Sequence, residues 1–128
     1  MRRVIFLLLM MVASNSAVAV WVKVSEDANL TVYADPKIIR EADNRVKLWW
    51  VIDFKTVQTN DDEIYLSSRK QYEFDCKEEK YRSLSFSKHS EKMAKGNVVY
   101  SSSKNGEWRG VPPNTNGKLL LKFACGEM

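Results

Sequence analysis

Glu73 and Asp75 stand two residues apart, a spacing that on a strand puts both carboxyl groups on one face. Such a pair could serve acid–base work on a glycosidic bond. Arg69 shares that face and Arg82 follows across a charged turn, so ion pairing accounts for the two acids equally well. His89 is the only histidine. Flanked by Lys88 and Ser90, with no second histidine to join, it reads as a surface residue. Serines are plentiful at Ser83, Ser85, Ser87 and Ser101 to Ser103, yet none sits in a G-x-S-x-G elbow, and alternate serines on a strand make a solvated face. Asp61-Asp62-Glu63 lacks the alternating ligand spacing of a calcium loop and reads as a polar turn. The inventory supplies no catalytic set, metal set or cofactor motif. The expectation is a protein that is not an enzyme and carries no cofactor.

Cys76 and Cys125 are the only cysteines. A reactive thiol or metal pair fits them poorly, since they lack CxxC spacing and have one histidine between them. The compartment bears on their state. Residues 1–19 are organised as a secretory signal, with Arg2 and Arg3, an apolar run from Val4 to Val12, and the small-x-small site Ala17-Val18-Ala19. Ser14-Asn15-Ser16 cuts the run short of the roughly 20 apolar residues that a membrane-spanning helix needs. The mature chain is therefore expected to have no stable membrane span. Export to an oxidising compartment favours a Cys76–Cys125 disulfide. It would close a loop of about 50 residues, worth about 4 kcal/mol in the chain-entropy model.

The chain of 128 residues is 45% hydrophobic and 28% charged, which suits one domain over residues 20–128 and argues against disorder. Its formal charge of +4 includes Arg2 and Arg3. Without them the chain is close to balanced, so the basic excess is mostly an export signal and a nucleic-acid partner is not expected. Between Arg69 and Lys95 cations and acids are mixed, a solvated surface with a mild basic bias that leaves a heparin-like contact open.

The elements that hold these residues are mainly strands. Val20–Val24 and Leu30–Tyr33 come first, the second stopped by Asp35-Pro36. After a turn at Asp43-Asn44, Arg45–Lys55 alternates without a break through Val46, Leu48, Trp50, Ile52 and Phe54. A turn at Asn60-Asp61-Asp62 leads to Ile64–Cys76. The charged turn Lys77–Lys80 precedes Arg82–Lys88, with Leu84 and Phe86 on one side and Ser83, Ser85 and Ser87 on the other. Val98–Tyr100 follows, and Pro112-Pro113 halts any regular element. In the tail, Leu119, Leu121 and Phe123 fit a strand, while Leu120, Phe123 and Ala124 fit a helical face capped by Asn114 or Thr115. The turn chemistry before it favours a short helix. The expected architecture is α+β, a mainly antiparallel sheet of about six strands with that helix packed on it.

Trp49 and Trp50 must point to opposite faces of their strand. Trp50 joins the apolar set and reads as core. Trp49 keeps company with Lys47, Val51 and Asp53, a mixed set suited to a binding or dimer surface formed by Trp49, Val51 and Lys47. The alternative makes Trp49 a second-core residue beneath a loop or the tail.

Several features in order resemble the surface-adhesin protein E family of exported bacterial proteins. They are Trp21-x-Lys23-Val24, Tyr33-x-Asp35 with Ile38 behind it, and Val46-x-Leu48-Trp49-x-Val51-x-Asp53-Phe54. Glu73-x-Asp75-Cys76, Arg82-x-Leu84, Gly96-x-Val98-Val99-Tyr100, Trp108-x-x-Val111-Pro112 and Cys125 complete the series. The resemblance implies an antiparallel sheet with a C-terminal helix and a bridge between the cysteines. For the best-known member it also implies adhesion to epithelial cells and to host proteins such as vitronectin, laminin and plasminogen. The sequence departs from the best-known member in having no lipid-attachment cysteine near residue 20, so it is not expected to be a lipoprotein. The reading is an exported binding protein of the periplasm, cell surface or medium. Its partner would be a host matrix protein or an envelope component, and a homodimer is a further arrangement. The alternative is a periplasmic structural or accessory module with no host-adhesion role.

Overall fold

The computed structural model describes residues 20–126. In chain order the elements are β1 (Val22–Glu26), β2 (Leu30–Ala34), β3 (Ile39–Ala42), β4 (Arg45–Asn60), β5 (Glu63–Asp75), β6 (Lys80–His89), β7 (Val98–Ser102), β8 (Arg109–Gly110) and α1 (Asn116–Ala124). The signal assigned to residues 1–19 lies outside the described residues. Among those described, no helix is long and apolar enough to cross a membrane.

The strands form one antiparallel sheet of order β1-β2-β4-β5-β6-β7. β2 and β3 lie end to end along one edge of β4, pairing with Phe54–Trp50 and with Lys47–Arg45. The break between them falls at Asp35-Pro36. Proline has no N–H for the ladder, and the Asp35 carboxylate turns the chain by accepting from Lys37 N at 2.9 Å. In the same way β7 and β8 divide the outer edge of β6. At the β5–β6 turn, Asp75 Oδ1 accepts from Lys77 N and Glu78 N at 3.1 and 2.9 Å, a side chain standing in for a backbone partner.

The helix resolves the ambiguous tail. Thr115 caps it, its hydroxyl accepting from Lys118 N at 3.2 Å, and a cap of this kind is worth about 1 kcal/mol. The turn then buries Leu120, Leu121 and Ala124 against Val32, Val46, Leu48, Trp50 and Phe74 of the sheet. Full burial of each leucine contributes about 1.5–3 kcal/mol, so packing outweighs the cap. A disulfide joins Cys76, just beyond β5, to Cys125, just beyond α1, with the two Cα atoms 5.8 Å apart.

One alternation fails. The β5–β6 register shifts between Gln71, opposite Ser85, and Tyr72, opposite Ser83, so Leu84 is the extra residue of a bulge. Leu84 and Phe86 therefore do not share one side. Leu84 joins Arg82, Ser85, Gln71 and Glu73 around a surface cleft.

Candidate binding face of the sheet

The even-numbered side chains of β4 from Val46 to Ile52 face α1 and the core. The odd-numbered ones, Arg45, Lys47, Trp49, Val51 and Asp53, face away from the helix, beside Asp75, Glu73, Gln71, Arg69 and Ser67 in register on β5. This second face divides into three regions.

At one end Asp53, Ser67 and His89 stand in register across three strands. Their types suggest a nucleophilic triad, but their bonds serve another task. Asp53 Oδ1 accepts from Met93 N at 2.6 Å, and Ser67 Oγ accepts from Ala94 N at 2.9 Å while donating to Glu91 O at 2.6 Å. Met93 and Ala94 both have φ of 58°, a conformation unfavourable for L-residues that these side chains hold in place. The segment Ser90–Asn97 is thereby pinned to the face. Gly96 is needed there, since a Cβ would run into Ser90 Oγ. The loop buries His89 to 7% exposure, correcting its expected place on the surface. His89 Nε2 lies 2.7 Å from Ser87 Oγ, not from Ser67. Burial first, and the Arg69 charge second, push its pKa below the ordinary 6.5.

At the other end Glu73 is 3% exposed. Arg82 contacts its Oε1 at 2.7 Å and Arg45 lies 3.9 Å from its Oε2. Both guanidinium groups also lie over the Trp108 ring, at 4.9 and 5.6 Å from its centroid. Glu73 is thus the buried centre of an ion cluster whose two arginines pack against Trp108, and Asp75 is committed to its turn. The two carboxylates do not form an acid–base pair.

Between these ends the face is open. Arg69 stands diagonal to Trp49, whose direct partner is Gln71, and such neighbours are within reach of long side chains. The Arg69 guanidinium carbon is 3.8 Å from the Trp49 centroid. Ser85, Ser87, Ser101 and Ser103 line the groove beside the stack. Of the three residues assigned to a binding surface, Trp49 is half-buried at this groove and Lys47 is partly exposed beside Glu41 at 3.6 Å. Val51 is corrected: it is 0% exposed, set between Asp53, which holds the loop, and Arg69, its cross-strand partner. Arg69 and Trp108 were not singled out as site residues. Only the strand register reveals Arg69 beside Trp49, and nothing local in the sequence places Trp108 against Arg45 and Arg82. The Asp61-Asp62-Glu63 turn gives Glu63 to Lys88 at 2.8 Å.

The profile of the surface-adhesin protein E family matches residues 21–126. No curated protein matches the chain. Among solved structures, one crystal form of Haemophilus influenzae protein E is similar with a TM-score of 0.64 at 14% identity, covering 86% of this chain and 97% of that one. Protein E from non-typeable Haemophilus influenzae is similar with a TM-score of 0.65 at 13% identity, covering 88% and 79% of the two chains. At such identities the structural likeness speaks for the fold.

Proposed function

The chain belongs to the surface-adhesin protein E family, and from that premise we propose that it is an exported, non-enzymatic binding protein that captures a protein partner on the sheet face opposite α1. The observation that carries the reading is the open centre of that face. The Ser90–Asn97 loop closes one end and the Glu73 ion cluster occupies the other, whereas Trp49 and Arg69 remain partly accessible between them. Tryptophan and arginine are the residue types that most often dominate protein interfaces. The partner is a host matrix protein, in keeping with the family. The proposed functional unit is residues 20–128, released from a signal at 1–19.

A second reading has an observation of its own. It is a periplasmic module that binds another envelope component through the free edge of the sheet. The exposed edge strand β7, with Val98 and Tyr100 facing solvent, would equally admit a second copy of the chain. Fractionation into periplasm, outer membrane and medium, with capture assays of the purified mature protein on matrix proteins and on envelope extract, separates the readings. Matrix capture by exported protein supports adhesion. Envelope capture alone, from a purely periplasmic protein, overturns it.

A further inference from the structure

Arg69 differs from the other arginines of the binding face. Arg82 and Arg45 are committed to Glu73, whereas among the described residues no carboxylate lies within ion-pair distance of Arg69. Its guanidinium carbon instead lies over the Trp49 ring, 3.8 Å from the centroid. Stacking of this kind fixes the plane of the group and leaves its N–H edges free, the geometry that takes a carboxylate or sulfate in a two-pronged contact. The groove beside the stack is lined by Ser85, Ser87, Ser101, Ser102 and Ser103 together with Phe86, and Ser87 Oγ also contacts His89 Nε2 at 2.7 Å. Each hydroxyl both donates and accepts, so the wall matches a ligand dense in hydroxyl groups. The groove continues past Ser85 and Ser103 into the cleft that holds Lys47, Arg45 and Arg82 beside Glu41 and Glu73, where the cations outnumber the acids.

We propose that this groove binds acidic saccharides, with Arg69 pairing the carboxylate or sulfate and the serine hydroxyls meeting the hydroxyl groups of the sugar. The inference rests on the proposed binding face and names a ligand class for it.

The test is calorimetric titration of the mature protein with a hyaluronan hexasaccharide, which carries carboxylates alone, and a heparin-derived hexasaccharide, which adds sulfates. Neutral chitohexaose and polyglutamate are the controls. Saturable binding of at least one acidic hexasaccharide is expected, weakened by salt and absent with chitohexaose. Which hexasaccharide binds identifies the anion. Arg69→Gln should weaken it about tenfold or more, the loss expected of a charge-assisted contact. Arg69→Lys, which keeps the charge and loses the fork, should fall between. Lys122→Gln, on the helix side of the protein, should bind as the parent does. Thermal melting of each variant verifies the fold. Absence of saturable binding, polyglutamate bound as tightly as the sugars, or equal losses in Arg69→Gln and Lys122→Gln would overturn the inference. Protein capture measured on the same samples keeps the two readings apart. Capture that still depends on Trp49 without saccharide binding removes only the saccharide.

Discussion

Arg69 rests on the ring of Trp49 at 3.8 Å from its centroid, while Trp50, the next residue, lies on the opposite face in edge contact with Tyr72 at 5.1 Å. One peptide bond thus separates a core ring from a ring of the binding face. Trp50→Ala should destabilise by about 3–5 kcal/mol, as truncation of a core aromatic does. Trp49→Ala loses one cation–π stack at a half-buried site, about 1 kcal/mol. Urea unfolding of both variants measures the difference. Equal losses would make both rings core.

Removing Arg82 should harm the fold more than neutralising its partner. Glu73 is buried, and Arg82→Ala would strand its carboxylate with only the more distant Arg45, costing about 3–5 kcal/mol. Glu73→Gln leaves Arg82 in reach of water and should cost about 1–2 kcal/mol. Chemical denaturation ranks the two, and the reverse order would contradict the account of the cluster.

Much of this was legible in the sequence, and the failures share one cause. Alternation assigns the side chains from Val46 to Asp53 to their correct faces, because the pleat has a period of two. Alternation cannot report what covers a face. Val51 and His89 both read as surface, and both are buried, His89 directly before the loop that Asp53 and Ser67 pin to the face and Val51 two residues before Asp53. That cover depends on contacts 27 and 40 residues apart in sequence. Leu84 was placed beside Phe86 because a bulge leaves no local mark in Ser83-Leu84-Ser85. The helix was readable from its Thr115 cap, although the leucines before Phe123 suit either period.

The disulfide should hold the helix to the sheet. Cys76 and Cys125 are 49 residues apart in sequence, and replacing both with alanine should cost about 2–5 kcal/mol. Thiol titration of the denatured exported protein should find none free. Two reactive thiols per chain would contradict the bridge.

Acid should weaken the fold through His89. Its folded pKa lies below the ordinary 6.5, so as the pH drops through that value the unfolded chain takes up a proton that the buried ring refuses. Stability should therefore fall from about pH 6.5 downward until the folded pKa is reached, with no further loss from this group below it. His89→Gln should remove that part of the dependence. Melting curves between pH 7.5 and about 5 check it, and identical slopes for parent and variant would show that His89 titrates as an exposed residue.

The central claim is that binding occurs on the open face at Trp49. The most direct measurement is the affinity of purified parent and Trp49→Ala protein for immobilised matrix proteins, with circular dichroism as the measure of fold. We expect Trp49→Ala to keep the parental spectrum while affinity falls about tenfold or more, the signature of an interface hot spot. A folded Trp49→Ala protein that binds as tightly as the parent would contradict the assignment of this face.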